Sequence, residues 1–401
     1  MANRVVFIGP CYPFKGGVSK YAARLAVRLA ATIPLEMHTY ARLYPRWLFP
    51  GRSEPDPILE YNDVPFAIRD LSFLRPWTFY RLGCRIRRDA GSIDGVVLTW
   101  WTSVWGLHSW LLMMGLRKSV PLVLWCHNVF DHGRRGLLTI PVKQLLQGAD
   151  SFVTHSGTER KRLESLAGGR PVGMSPLPPL HLGELKPLGE PGVMAPSRDR
   201  LREAPFRLLF FGFVRPYKGV EDLLEAMRQV SDKVHVHLTI CGECWGKMHQ
   251  KLQACLREYN IEDIVDIRDA YIPDDQLGAV FEACDAVVLP YREATGSGVV
   301  ALAHFFSRPA IVTDVGSLSE AVVPGRNGWV CRAGNPDHLS LTILQAINQP
   351  ISAASVAAAQ PDAVDAWDKL TACVLQVMVS KTDKANAVRQ EIKRGKHHQR
   401  H

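Results

Sequence analysis

The chain has 401 residues, 47% hydrophobic and 22% charged, a balance that suits a soluble globular protein of two domains with ample core. Its net charge is +9, but no nucleic-acid-binding motif accompanies that charge, so nucleic acid is excluded as a partner. The nine cysteines are scattered, mostly in apolar runs, which fits buried thiols in a reducing cytosol rather than a disulfide scaffold.

The start, Met1-Ala2-Asn3-Arg4, lacks a signal-peptide pattern and runs straight into the apolar Val5-Val6-Phe7-Ile8. A strand over residues 4–9 leads through the loop 10–17 into a helix over 18–31. Gly16 and Gly17, flanked by Lys15 and Lys20, suit an anion at that helix start. A plain glycine-bearing turn is the alternative. The spacing is not Gly-x-Gly-x-x-Gly, and no acidic residue closes the next strand, 35–40, which argues against a dinucleotide site.

Basic residues interleave with aromatics in Arg42-Leu43-Tyr44-Pro45-Arg46-Trp47-Leu48-Phe49. They do so again in Phe73-Leu74-Arg75-Pro76-Trp77-Thr78-Phe79-Tyr80-Arg81, followed by Arg85, Arg87 and Arg88. These runs suit either an anionic membrane surface or ordinary solvated and acceptor-lining faces. The stretch from Trp100 to Leu116 carries no Asp, Glu, Lys or Arg. It falls short of the roughly 20 residues of a membrane-spanning helix. Strand-like runs at 95–98 and 120–125 flank it, so it reads as a buried crossover helix. His127 follows the second of these strands, where open α/β sheets bind ligands; a structural histidine is the alternative. A strand over 151–156 and a helix over 157–166 complete the block.

Prolines recur from Pro171 to Pro205, and the stretch reads as irregular. The expected organisation is an N-terminal domain over 1–185, a linker over 186–205 and a C-terminal domain over 206–364. An amphipathic helix over 365–380 and a basic tail over 381–401 follow.

The second block alternates again. Strands are expected over 207–211, 236–242, 265–268 and 286–289, with helices over 221–230 and 274–283. The strand Ala286-Val287-Val288-Leu289 opens into Pro290-Tyr291-Arg292-Glu293-Ala294-Thr295-Gly296-Ser297-Gly298-Val299. Ser297 sits at an N-cap before an apolar helix, whose first N–H groups and dipole suit phosphate or sugar hydroxyls. Glu293 is aimed at hydroxyls beside it. A plain βα loop is the bland alternative. Cys241-Gly242-Glu243-Cys244 is a Cys-x-x-Cys without a second pair at metal spacing, and His235 and His237 form no cluster, so no metal ligand is assigned.

The order of these pieces resembles the GT-B glycosyltransferases of the retaining family 4 type. The residues that carry the resemblance are Gly16-Gly17, His127, Arg215-Pro216-Tyr217-Lys218-Gly219, Glu293-x-x-Gly296-x-Gly298, Asp314-Val315-Gly316-x-x-x-Glu320 and Gly325-x-x-Gly328. The resemblance implies two Rossmann-like doubly wound domains facing a central cleft, with the last helix returning to the first domain. It implies a nucleotide-sugar held by the C-terminal domain and a glycan or lipid-linked acceptor held by the N-terminal one. Arg215 and Lys218 would grip the diphosphate, with Gly212 beneath them. Glu293 and the amides of Gly296, Ser297, Gly298 and Val299 would bind the sugar. Tyr271 and Ile272 would border the base, and Gly16 and Gly17 would approach the phosphates. His127 would act from the other domain.

No metal or cofactor is implied, and the site of action would be cytoplasmic, at the inner face of a membrane. Two positions depart from the family pattern. Ala301 stands where a second Glu usually holds the ribose, and Phe213 stands where an Arg usually follows the loop glycine. A non-catalytic nucleotide-sugar-binding protein and a nucleotide-sugar epimerase of the same fold remain as alternatives.

Overall fold

Runs of branched apolar residues with no alternation, such as Ala286-Val287-Val288-Leu289 and Ala310-Ile311-Val312, cannot present a polar face. They fold only where both faces are covered, which is the middle of a parallel sheet between helices. In the computed structural model both runs are fully buried strands. The structure describes residues 3–14, 16–45, 64, 66–128, 140–180, 204–294, 296–360 and 364–378. The expected linker between 186 and 203, the basic tail 381–401, Arg46 to Phe49, Lys15 and Thr295 lie outside the described residues.

The described chain forms two compact units. The first holds the residues up to Pro176 together with the helical residues 364–378. Its strands are β1 (Arg4–Ile8), β2 (Leu35–Arg42), β3 (Ala67–Ser72), β4 (Ile93–Trp100), β5 (Leu122–Cys126), β6 (Ser151–Thr154) and β7 (Val172–Met174). They build one parallel sheet in the order β3-β2-β1-β4-β5-β6-β7. The second unit holds residues 177–180 and 204–360. Its strands are β8 (Phe206–Phe211), β9 (Val236–Cys241), β10 (Val265–Arg268), β11 (Ala286–Leu289), β12 (Ala310–Thr313) and β13 (Gly328–Cys331). Their order is β10-β9-β8-β11-β12-β13, again all parallel.

The expected crossover helix begins later than the composition suggests. Trp100 ends β4, a short turn covers Ser103–Trp105, and the helix runs from Gly106 to Leu116. It crosses the helix Trp77–Arg88 at Gly83 and Gly115, where the backbone of each helix occupies the space a Cβ on the other would need. No described helix is long and apolar enough to cross a membrane.

The stretch from Pro171 is not wholly irregular. Val172–Met174 pairs with β6, because Gly173 leaves room for Cys373 and Val377 of the last helix. That helix lies on the first unit, with Trp367 buried against Tyr21 at 5.9 Å between ring centroids and Asp368 accepting from Arg28 at 2.9 Å.

Candidate active site

In each sheet the chain reverses its direction of growth between two inner strands, β1 and β4 in the first unit, β8 and β11 in the second. Loops leaving the carboxyl ends of such a pair diverge and open a crevice. Gly16 and Gly17 follow β1, Gly212 to Lys218 follow β8 and Glu293 to Val299 follow β11, whereas His127 follows β5 and Tyr271 and Ile272 follow β10.

In the second unit β8 ends in Gly212, whose φ of 104° suits only glycine. A Cβ there would lie 3.3 Å from the Lys218 ammonium and 3.8 Å from a Val299 methyl, so these three positions converge. Lys218 lies in the turn Pro216–Lys218, closed by Gly219, whose would-be Cβ collides with the Pro290 carbonyl. That close packing locks the β8 loop onto the β11 loop. The Lys218 Nζ donates to the Tyr291 hydroxyl at 2.9 Å and lies 4.6 Å from the centre of its ring. Burial beneath these rings lowers the Lys218 pKa to about 8, and the Arg215 charge pushes the same way.

The helix Gly298–Phe305 starts beside this ammonium. The Ser297 hydroxyl accepts from the Val299 N–H at 3.2 Å, as expected of an N-cap, and it also hydrogen-bonds the Tyr291 hydroxyl. Gly296 packs against Ser317, and Glu293 is partly buried in the same loop. Ala301 lies one turn into the helix, partly buried.

Arg215 is held differently. Its guanidinium carbon lies 3.3 Å from the Trp245 ring centre and 5.6 Å from that of Phe213. The aromatic pair is a platform that fixes the plane of the cation. Tyr271 and Ile272 follow β10, both partly buried, with Ile272 packed on the core of the unit.

Sequence reasoning missed Arg292. Its guanidinium makes a two-pronged bridge to Asp222, with Nε to Oδ2 at 2.8 Å and Nη2 to Oδ1 at 2.5 Å. Its backbone N–H donates to the Tyr217 carbonyl at 2.8 Å. Arg292 therefore ties the β11 loop to the turn that carries Lys218. A cation three residues past a buried strand was the available signal, but its partner lies 70 residues away.

The first unit holds the other candidates. Gly16 caps the helix Gly17–Thr32 with φ 105°, and among the described residues no side chain caps that end and no atom lies within 4 Å of a Cβ built on either glycine. His127 follows β5, with ring centroids 4.4 Å from Trp125 and 5.0 Å from His155. Burial, reinforced by His155, holds the His127 pKa well below its ordinary value, so the imidazole is neutral at pH 7. Its Nε2 is buried without a hydrogen-bond partner among the described residues. His155, missed from sequence, donates its Nδ1–H to the Ser175 carbonyl, 2.9 Å away, and burial lowers its pKa to about 4.

Residues 205–349 match the family described as glycosyl transferases group 1. Over 227 residues the chain is 31% identical to GDP-mannose:glycolipid 4-beta-D-mannosyltransferase of Xanthomonas campestris pv. campestris, covering 55% of this chain and 58% of that protein. The chain thus spans little more than half the length of that relative. Among solved structures, the lipopolysaccharide outer core galactosyltransferase WaaB superposes with a TM-score of 0.68 at 16% identity, covering 93% of this chain and 99% of the other. Anabaena Alr3699/HepE in complex with UDP-glucose superposes at 0.65 with 14% identity, covering 95% and 99%. The fold is that of the GT-B glycosyltransferases, and residues 205–349 match the family model of the glycosyl transferases group 1.

Proposed function

We propose that the protein transfers a sugar from a nucleoside-diphosphate donor to a glycan or lipid-linked acceptor. One observation carries the reading: a desolvated ammonium, Lys218, held beside the Ser297-capped start of the helix Gly298–Phe305 at a switch point. As the sugar leaves, negative charge grows on the oxygen of the departing diphosphate. Lys218, Arg215 and the helix-start amides are already oriented where that charge appears, so they stabilise the transition state more than the ground state. These groups supply the positive charge without a metal ion. Glu293 and the amides of Gly296 to Val299 would orient the sugar, and Tyr271 and Ile272 would border the base. In the first unit, neutral His127 would meet a hydroxyl of the acceptor.

We infer retention of anomeric configuration from the resemblance to family 4. The β-linked product in the name of the Xanthomonas relative favours the opposite outcome, and the anomeric signal of the product decides between them. The names of that relative and of WaaB, a glycolipid and a lipopolysaccharide enzyme, support a lipid-linked acceptor, and we propose that the protein meets it at the inner face of a membrane. Leu74, Trp77 and Tyr80, exposed by 61%, 53% and 39% beside Arg75 and Arg81, would form the contact, which sedimentation with anionic vesicles tests.

The donor test is a thermal-shift panel of UDP-, GDP-, dTDP- and ADP-sugars. A donor at about 100 times its Kd adds roughly 2.7 kcal/mol of stability. Release of nucleoside diphosphate only when acceptor is present supports transfer. Donor conversion without acceptor indicates an epimerase, and binding without turnover a non-catalytic protein.

A further inference from the structure

We propose that Cys244, His249 and Asp269 form a binding site for a divalent metal of borderline softness, Zn2+ in particular. In sequence Cys244 looks like half of a Cys-x-x-Cys with no further ligands. The fold supplies them. β9 and β10 pair in parallel with Cys241 opposite Arg268, so the loops leaving both strands emerge side by side. Cys244 lies three residues past β9, Asp269 directly follows β10, and His249 is the second residue of the helix Met248–Tyr259. Their ligand atoms all lie within 4.8 Å of one another, and no other such trio of His, Cys, Asp or Glu occurs among the described residues.

The geometry favours an ion over a simple pair. The His249 Nδ1 is 3.2 Å from the Asp269 Oδ2, yet it is buried without a hydrogen bond among the described residues. Two ligands bound tetrahedrally to zinc at their usual lengths stand about 3.3 Å apart. The other carboxylate oxygen of Asp269 is already engaged, accepting from the Cys244 N–H at 2.9 Å. That bond orients the carboxylate, as outer-shell bonds do in metal sites. A thiolate, an imidazole and a carboxylate together select zinc over magnesium or calcium. Three protein ligands leave a fourth position for water. On binding, the Cys244 thiol loses its proton to solvent and its sulfur pair coordinates the metal.

The site has a consequence for Arg215, which rests on the donor reading above. Val214 donates to the Glu243 carbonyl at 2.9 Å, and Trp245 donates to the Val214 carbonyl at 3.1 Å. The strip that carries Cys244 therefore also carries the Trp245 platform under Arg215. A metal on Cys244 would clamp that platform while staying off the diphosphate itself.

The test uses the full-length protein, stripped of metal and titrated with Co2+ alone as the spectroscopic probe, then with Zn2+ in competition. The expected result is one equivalent of Co2+ with a sulfur-to-cobalt charge-transfer band, displaced by Zn2+ and absent from Cys244→Ser. His249→Gln, a change at a half-exposed side chain, should weaken binding at least tenfold. Failure of the wild-type protein to bind an equivalent, or a band that persists in Cys244→Ser, overturns the site. Donor affinity is read separately in stripped and loaded protein. A several-fold loss on stripping supports the clamp, and equal affinities refute the clamp while the Co2+ titration still decides the site.

Discussion

The two switch points are built on the same topology and equipped in opposite ways. At the carboxyl ends of β8 and β11 the chain has packed a cation under aromatic rings, capped the neighbouring helix with Ser297 and stapled the two loops together through Gly219 and Arg292. The loop after β1 has the reverse design. Among the described residues no atom lies within 4 Å of a Cβ built on Gly16 or Gly17 and no side chain caps the helix, and His127, after β5, is kept uncharged. Fixed charge belongs where charge develops during reaction, since a preorganised cation needs no reorganisation at that moment. A neutral, open surface suits a hydroxyl-bearing ligand that gains and loses little charge. We therefore assign the diphosphate to the second unit and the acceptor side to the first.

The strongest way to break this contrast is Lys218→Ala. It should lower the transfer rate on the order of 10²-fold or more and abolish the thermal shift given by nucleoside diphosphates. An intact shift would mean that the ammonium does not meet the phosphates. His127→Gln probes the other side. It should cost about tenfold or less, the scale of one neutral hydrogen bond, and leave diphosphate affinity unchanged. A loss as large as that of the lysine variant would remove the asymmetry.

The pH dependence sharpens the contrast. Lys218 titrates near 8 in the folded protein against 10.5 ordinarily, so between these values the unfolded chain holds a proton that the folded one has shed. In the absence of ligand this residue thus makes the fold more stable as pH rises through that window. Diphosphate binding needs the charged form and should show the reverse: affinity falls above about pH 8, with proton uptake on binding visible by calorimetry in buffers of different ionisation enthalpy. The same profile in Lys218→Ala would contradict the assignment. His127, neutral at pH 7 already, should add no inflection above that pH. The smallest effect is expected of Arg292→Ala, which removes a half-exposed bridge and should cost about 1–2 kcal/mol in denaturant unfolding. If Arg292 positions Lys218, the variant also weakens diphosphate binding; a change in stability alone would limit Arg292 to a structural role.

Much of the fold could be read directly from the residues. Both parallel sheets follow from apolar strands without alternation, as in Ala286-Val287-Val288-Leu289, and Ser297 announces its helix start by type and place. Local signals failed where partners are distant. β3 and the helix Trp77–Arg88 hid among basic and aromatic residues, because Phe79, Leu82 and Ile86 show their shared face only once the helix is folded. β7 hid among prolines, being only three residues long and held by a helix some 200 residues later. The same limit concealed His155 behind His127, Asp222 behind Arg292, and His249 and Asp269 behind Cys244. In each case the partners are a pair or trio that topology, not spacing, assembles.

The most direct measurement is a crystal structure of the full-length protein with a nucleoside diphosphate that gives a thermal shift. The account predicts a diphosphate oxygen within hydrogen-bonding distance of the Lys218 Nζ and of an N–H at the start of Gly298–Phe305, with Arg215 turned toward the same group. A nucleotide seated instead over Gly16 and Gly17, or a Lys218 ammonium still bound only to Tyr291, would contradict it.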